Sequence, residues 1–292
     1  MYYVVYGLLW LLSLLPLRIL YFLSDGFYAF VFYVLKYRRD VVMNNLLIAF
    51  PEKSEKERKS IAKKFYHNLI DMFIEFIKML SVSGKVLEKR FNANWDLVNE
   101  IHATGKSVQI HVGHNFNWEW GNMVMTKKTV FKLLSVYMPL ANKIMEKLFY
   151  KTRTRHGAIF LRATHMKEDF LPFQNTHYVL GLVADQSPGH PGNAWWFNFF
   201  GRPTPFLKGP AKAALQNNTA VVFAFIHKPR RGYYDAIFSP AVEITDSMTE
   251  QELTKKFVVY LEGVIKKYPD MWLWSHRRWK WEWKPEYGDI ID

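Results

Sequence analysis

The first 35 residues restrict the fold of this chain more than any other segment, because they are apolar and contain only two charged residues, Arg18 and Asp25. Residues 1–17 carry no charge, and residues 19–35 form a second apolar stretch that Asp25 interrupts. Apolar segments of this kind leave water, either for a lipid bilayer or for a protein core. A bilayer core requires about 20 consecutive apolar residues, and neither stretch is a clean span by that measure.

Residues 1–35 are predicted to form a membrane-associated helical anchor, with a buried core hairpin as the alternative. A cleaved signal peptide is disfavoured, since no basic region precedes the apolar residues and no small-residue cleavage site follows them. Lys36, Arg38 and Arg39 come directly after the apolar segment. The positive-inside rule therefore places the remainder, residues 36–292, on the cytoplasmic side.

The charge of the chain lies almost entirely behind this segment. Lys and Arg total 39 and Asp and Glu total 26, a formal charge of +13, and Arg18 and Asp25 cancel each other. Half of the residues are hydrophobic, which favours a folded core over disorder. The chain has no cysteine, and this excludes a disulfide scaffold, a thiol enzyme and a Cys-ligated metal site.

Residues 36–292 show the alternation of an α/β protein. Ser54 and Glu57 form a capping box that opens a long amphipathic helix reaching about residue 80. Predicted strands then occupy residues 108–112, 130–137, 158–161, 178–183, 220–227 and 233–238. Predicted helices occupy residues 96–103, 118–126, 142–155, 164–173, 207–217 and 249–267. We expect an α/β fold with a mixed sheet flanked by helices.

The residues best suited to catalysis follow the first of these strands. The strand ends at Val112, Gly113 permits a sharp turn, and His114 precedes a helix that carries Glu119. Ligands of open α/β sheets bind at this place, beyond the carboxyl end of a strand. We expect the Glu119 carboxylate to hold one ring nitrogen of His114, so that the other takes a proton from a hydroxyl group.

Two other interpretations of these residues remain open. His111, His114 and Glu119 are a possible set of metal ligands, but their spacing is not that of a helical His-Glu-x-x-His site, and no metal site is predicted. Either histidine is alternatively a structural residue held by hydrogen bonds.

The segment from His114 to Glu119 resembles the H-x4-D/E motif of glycerolipid-type acyltransferases. More specifically, it is similar to that of the late acyltransferases of lipid A biosynthesis, the lauroyl/myristoyl acyltransferase family. Further similar blocks follow in order: Arg153-Thr-Arg-His-Gly157, Val183-Ala-Asp-Gln-Ser-Pro188, Phe199-Phe-Gly-Arg-Pro-Thr204 and Trp274-Ser-His-Arg-Arg-Trp-Lys280. The resemblance extends from about residue 38 to residue 280, and the apolar segment takes the place of the family's N-terminal anchor.

The resemblance implies a glycerolipid-acyltransferase-like fold and direct transfer of a fatty acyl chain. The donor would be acyl carrier protein or acyl-coenzyme A, the acceptor a hydroxyl group of an anionic membrane lipid, and no cofactor is expected. His114 and Glu119 would be the catalytic residues, with Arg153 and Asp185 among the residues around them. The implied location is the cytoplasmic face of the inner membrane.

Further residues are predicted to bind substrate. Asp185 and Gln186 end another strand and so can approach His114 from a neighbouring strand end, although Asp185 is equally suited to orient Arg153. Arg277 and Arg278 lie between two tryptophans and suit contact with an anion. The aromatic residues 195–200 suit either core packing or the wall of an acyl-chain pocket.

Two alternative functions remain. One is an acyltransferase that modifies another bacterial lipid, such as an amino-acid lipid, a glycolipid or a phospholipid. The other is a non-enzymatic module that binds nucleic acid through its basic and aromatic residues. Nucleic-acid binding is not expected, because it gives no role to the apolar segment or to the ordered motifs.

Overall fold

Helices and strands alternate along most of the computed structural model, which describes residues 1–291. The helices are α1 (Tyr2–Leu14), α2 (Leu17–Ala29), α3 (Arg39–Ala49), α4 (Glu55–Lys78), α5 (Gly84–Glu88), α6 (Trp95–Ala103), α7 (Trp118–Lys128), α8 (Lys143–Thr154), α9 (Met166–Phe170), α10 (Gly209–Gln216) and α11 (Glu250–Lys267). The strands are β1 (Phe91–Ala93), β2 (Val108–Val112), β3 (Lys132–Tyr137), β4 (Ile159–Arg162), β5 (Tyr178–Val183), β6 (Ala194–Phe199), β7 (Arg202–Leu207), β8 (Ala220–Arg230), β9 (Tyr233–Phe238) and β10 (Ile290–Ile291).

Seven strands form the main sheet in the order β1-β9-β8-β2-β5-β3-β4. Strands β8, β2, β5, β3 and β4 are parallel, whereas β9 is antiparallel to β8 and has β1 beside it in parallel. In the register of the sheet, Val112 of β2 lies opposite Val183 of β5. The residues that follow these two strands therefore emerge side by side. The predicted mixed α/β sheet flanked by helices is confirmed.

A second sheet accounts for the aromatic residues 195–200. Strands β6 and β7 are antiparallel, with Phe199 opposite Arg202, and β10 joins β6 in parallel. The turn places Phe200 and Gly201 at positive φ angles of 54° and 68°, which is the backbone of a two-residue hairpin turn. Trp196 is buried and stacks on Tyr287. Phe197 and Phe199 are buried as well, which supports the core-packing alternative for these aromatic residues.

Helix α4 is the longest helix of residues 1–291 and begins as its sequence predicts. The Ser54 hydroxyl oxygen accepts a hydrogen bond from the backbone N–H of Glu57, and the Glu57 carboxylate accepts one from the backbone N–H of Ser54. The buried face of α4 is mainly apolar, but it also includes Asp71 and Glu75, both fully buried. Buried carboxylates require hydrogen-bonding or charged partners, so this face is more than hydrophobic packing.

The N-terminal hairpin, defined as α1 together with α2 and its π-helical continuation Phe30–Leu35, packs against α4. Lys78 donates hydrogen bonds to the carbonyls of Ser13 and Leu15 near the end of α1. The outer side of the hairpin leaves many large apolar side chains exposed, among them Tyr3, Leu8, Leu11, Phe22, Phe27 and Val34. The hairpin is therefore not buried in the protein core.

Length and apolar composition single out one helical segment. Within residues 1–291, Leu17–Leu35 is the one helix long and apolar enough to cross a membrane, and most of it faces away from the rest of the protein. Helix α1 is apolar but shorter.

Charged residues fix α2 to α4 and to the turn between β8 and β9. Asp71 accepts a hydrogen bond from Ser24 of α2 (2.7 Å) and forms ion pairs with Arg231 (2.6 Å) and Lys228 (3.3 Å). Arg231 also pairs with the half-exposed Asp25. Burial of Asp71 works to raise its pKa, but His67, Arg231 and Lys228 outweigh that effect and hold it well below its ordinary value.

Substitution of Asp71 by Ala is expected to lower the free energy of unfolding by about 3 kcal/mol, because it leaves two cations without their buried partner. Asp25→Ala is the matched control: it removes a second carboxylate from the same Arg231 at an exposed position and should cost about 1 kcal/mol or less. Urea unfolding in detergent, followed by tryptophan fluorescence, measures both. Equal losses of unfolding free energy in the two variants would show that burial does not determine how much Asp71 stabilises the protein.

Candidate active site

The turn after β2 brings the backbone unusually close to its neighbours at Gly113. A Cβ atom at this position would lie 2.7 Å from Leu261 Cδ1 and 3.2 Å from Asp185 Oδ2. A side chain at this position would have to displace Leu261 and press against Asp185, so glycine suits the close approach. The close packing places His114 directly over the end of β5.

His114 is held by Asp185, which lies two residues beyond β5. Its Nδ1 atom lies 2.5 Å from Asp185 Oδ1, and its backbone N–H donates to Asp185 Oδ2 at 2.9 Å. The indole N–H of Trp272 donates to the same Oδ2 at 2.6 Å. Asp185 is 1% exposed, so these three donors take the place of water around its carboxylate.

The pKa values of the pair shift in opposite directions. Burial works to raise the pKa of Asp185, but the charge of His114 and the three hydrogen bonds outweigh it and hold that pKa well below its ordinary value. Burial works to lower the pKa of His114, and Asp185 reverses the effect and raises it above 6.5. The ionised carboxylate only accepts hydrogen bonds, so Nδ1 carries the proton and the neutral ring keeps a lone pair on Nε2.

The prediction that Glu119 holds His114 is wrong. Arg153 of α8 donates to both carboxylate oxygens of Glu119, with Nη2 at 2.6 Å and Nε at 3.1 Å. The cause is tertiary packing. Asp185, after β5, contacts the His114 ring, and Arg153 of α8 contacts Glu119 in the first turn of α7. The alternative that Asp185 orients Arg153 is wrong for the same reason.

Arg153 is held on three further sides by aromatic rings. Its guanidinium lies 4.9 Å from the ring centre of Trp118 and 5.1 Å from that of Phe149, and Phe160 is the third ring. Glu119 uses the Nε and Nη2 atoms, and within residues 1–291 no hydrogen bond engages Nη1. Arg153 is therefore a rigid cation with donor capacity left over.

An open cleft of about 580 Å³ begins at His114. Arg153 and Gln186 also border it, and Gln186 is exposed. The remaining wall is mostly apolar and includes Val136, Met138, Leu140, Phe149, Leu180 and Leu182. A cleft of this kind accommodates an extended apolar chain with its polar end beside the imidazole.

A family model of bacterial lipid A biosynthesis acyltransferases matches residues 1–281. The chain belongs to this family. It is 22% identical over 278 residues to the lipid A biosynthesis palmitoleoyltransferase of Escherichia coli, covering 94% of this chain and 89% of the relative. It is also 20% identical over 266 residues to a lipid A biosynthesis acyltransferase of Haemophilus influenzae, covering 90% and 82%. The protein is therefore an acyltransferase, and the non-enzymatic alternative is excluded.

In this acyltransferase the two arginines predicted to contact an anion occupy different environments. Arg278 is fully buried, donates to the carbonyl of Pro205 (2.9 Å) and packs on the ring of Phe206. The prediction that it meets an anionic substrate is wrong, because no surface of its side chain is accessible. Burial lowers its pKa to about 10. Arg277 is exposed, and its role in substrate binding stays a prediction.

Three residues near the site were not among the predicted site residues. Trp272 lies 87 residues from the Asp185 carboxylate that it contacts, so no local spacing indicates it. His276 stacks on His114 with ring centres 6.0 Å apart, and burial lowers its pKa to about 4, so it stays neutral. Asn117 caps α7 by accepting a hydrogen bond from the backbone N–H of Trp120; an Asn directly before a helix is the local signal for such a cap.

The alternative metal site is not supported. Among residues 1–291, no group of three or more His, Asp or Glu side chains is arranged to hold a metal ion. His111 is buried, lies 3.1 Å from Gln109, and has a pKa lowered to about 4 by burial. It is therefore a neutral residue within the sheet, facing Phe257.

We expect His114 to titrate above 6.5 in the intact protein, and Asp185→Asn to lower that midpoint below 6.5. The substitution removes the charge that raises the pKa, whereas burial and the charge of Arg278, which both lower it, remain. NMR of protein labelled with ¹³C-histidine, assigned with a His114→Gln variant, measures the midpoint. Glu119→Gln is the control and should leave it in place. A larger midpoint shift in Glu119→Gln than in Asp185→Asn would instead support Glu119 as the partner of His114.

Proposed function

We propose that this acyltransferase moves a fatty acyl chain from an acyl thioester to a hydroxyl group of a lipid A-type precursor, with His114 as the general base. The observation that carries the proposal is the His114–Asp185 pair at the end of an apolar cleft. A base beside an apolar cleft fits a reaction in which a long hydrocarbon chain is attached to a reactive carbonyl group.

The proposed reaction is a direct transfer. His114 Nε2 takes the proton of the acceptor hydroxyl group as its oxygen attacks the thioester carbonyl carbon. The new carbon–oxygen bond forms, the carbon–sulfur bond breaks, and the proton on Nε2 passes to the departing thiolate. Asp185 stabilises the imidazolium between these two steps. The chain has no cysteine to accept the acyl group from the thioester, which supports a single transfer.

Arg153 is proposed to stabilise the negative charge that develops on the carbonyl oxygen. It borders the same cleft as His114, and its contacts with Glu119 and three aromatic rings fix it before substrate binds. A donor fixed in advance stabilises a transition state without the cost of reorganisation. Glu119 thereby contributes to catalysis through Arg153 rather than through His114.

The substrates are proposed from charge and from the names of the relatives. Both relatives are named for lipid A biosynthesis, and lipid A precursors are anionic, as are acyl carrier protein and coenzyme A. A protein with a net charge of +13 attracts donor and acceptor alike. Gln186 and Arg277 are accessible for these contacts.

Residues 1–35 are proposed to hold the enzyme at the cytoplasmic face of the inner membrane, with residues 36–292 as the acyltransferase domain. The exposed apolar side of the N-terminal hairpin supports membrane contact, and Lys36 and Arg39 beside it suit the cytoplasmic face. Arg38 contributes less to this, because it donates to the carbonyl of Ser275.

His114→Ala is expected to reduce acyltransfer by about a thousandfold or more through loss of the base, while folding and membrane association stay intact. The measurement incubates purified protein with acyl carrier protein and coenzyme A thioesters and lipid A precursors, with products read by mass spectrometry. His177→Ala is the matched control, since His177 precedes β5 and so lies at the opposite end of this strand from Asp185. Near-normal transfer by the His114 variant would overturn the proposed mechanism.

Ala213→Phe is expected to shift the enzyme toward shorter acyl chains, because Ala213 lines the cleft and a larger ring would fill part of it. Each methylene excluded from an apolar site costs about 0.8 kcal/mol, so loss of room for two methylenes changes the ratio of kcat/KM for long and short donors by roughly tenfold. The neighbouring Lys212→Ala serves as control. An unchanged preference would mean that the acyl chain lies elsewhere.

A further inference from the structure

Glu75 is a buried carboxylate that the proposed reaction does not use. It lies on α4, is 0% exposed and forms no ion pair within residues 1–291. Its Oε1 atom accepts from the Tyr21 hydroxyl (2.6 Å), and its Oε2 atom accepts from the Tyr234 hydroxyl (2.6 Å) and from Nδ2 of Asn117 (2.8 Å). These three donors come from the N-terminal hairpin, from β9 and from the segment that follows His114.

Burial of a carboxylate costs free energy, so the groups that bond Glu75 indicate its role. Burial raises the pKa of Glu75, and the hydrogen bonds from the two tyrosines oppose that shift. No cation lies within ion-pair distance, in contrast to Asp71 one turn earlier on the same helix. Three donors from separate parts of the chain therefore converge on one acceptor, and each is oriented by it.

Asn117 connects Glu75 to the active site. Its Oδ1 atom accepts from the backbone N–H of Trp120 and caps α7, while its Nδ2 atom donates to Glu75. The Trp120 indole also donates to the backbone carbonyl of Glu75 at 3.3 Å. The first turn of α7 is thus fixed to α4 at two points, and this turn carries Glu119, the residue that holds Arg153.

Tyr21 connects Glu75 to the N-terminal hairpin. Its hydroxyl donates the hydrogen bond that joins α2 to Glu75, and its ring packs against the guanidinium of Arg231. A second hydrogen bond from α2, donated by Ser24, ends on Asp71 and does not continue to the active site. These two hydroxyl hydrogen bonds therefore join the same pair of helices, but only the one from Tyr21 ends on a carboxylate that also bonds Asn117.

We propose that Glu75 is a positioning residue for acyltransfer, which transmits the position of the N-terminal hairpin to the segment His114 to Glu119 through Tyr21 and Asn117. The inference rests on the proposed function and deepens it. The hairpin is then part of the support of the active site as well as a membrane anchor. A purely structural Glu75 would contribute to stability alone.

The test compares Tyr21→Phe with Ser24→Ala in the full-length protein. Each removes one hydroxyl group and one hydrogen bond from α2, so each should loosen the hairpin to a similar extent. Misplacement of catalytic groups by a fraction of an ångström lowers turnover, so we expect Tyr21→Phe to reduce kcat by about tenfold or more with KM for the thioester donor unchanged. Ser24→Ala should retain kcat within about twofold at similar thermal stability. Equal kcat values for the two variants would overturn the proposal.

A double-mutant cycle separates this route from other effects of the tyrosine. In an Asn117→Ala background the connection is already broken, so Tyr21→Phe should reduce kcat no further. Additive losses would show that Tyr21 does not act through Asn117.

Hydrogen exchange provides a readout that needs no substrate. Backbone amides 118–121 should exchange faster in Tyr21→Phe and in Glu75→Gln than in Ser24→Ala or the wild type, in the same detergent micelles. Unchanged protection at these amides overturns the proposal even if the acceptor lipid is wrong. Absence of acyltransfer in the wild type, with the exchange difference present, would instead reject the proposed function alone.

Discussion

The need to satisfy one buried carboxylate organises the active site. Asp185 is removed from water and must receive hydrogen bonds from protein groups. It takes them from the imidazole and backbone of His114 and from the indole of Trp272, which ties the ends of β2 and β5 to the C-terminal segment. The same bonds select the tautomer of His114 and raise its pKa. Removal of Asp185 from water therefore accounts both for the packing of these segments and for the protonation of His114.

The second carboxylate shows why motif spacing is an incomplete guide to mechanism. His114 and Glu119 are close in sequence and belong to one recognisable motif, yet each takes its partner from elsewhere in the chain. Asp185 lies 71 residues from His114, and Arg153 lies 34 residues from Glu119. The motif places a histidine and a carboxylate five residues apart, while the main sheet and α8 determine which group each of them contacts.

The parts of the fold that the sequence predicted are those determined locally. The apolar strands β2 and β5, the capping box of α4 and the position of His114 beyond a strand all have signals within a few residues. Strands β6 and β7 were missed because their turn is Phe200-Gly201 rather than the usual Asn-Gly. The burial of Arg278 was missed because an arginine beside tryptophans suggests a surface cluster, and only tertiary packing encloses it.

The links between the N-terminal hairpin and the body also bear on how the chain is made. The hairpin is synthesised before its partners: Asp71 follows Ser24 by 47 residues, and Arg231 follows Asp25 by 206 residues. Before Arg231 is synthesised, the partner of Asp25 among the described residues is His67 of α4, which lies 42 residues away in sequence. If the hairpin reaches a bilayer before then, Asp25 stays near the lipid surface until β8 and β9 are synthesised. Docking of the hairpin on the turn between β8 and β9 is therefore a late step of folding, completed after residue 231 has been synthesised.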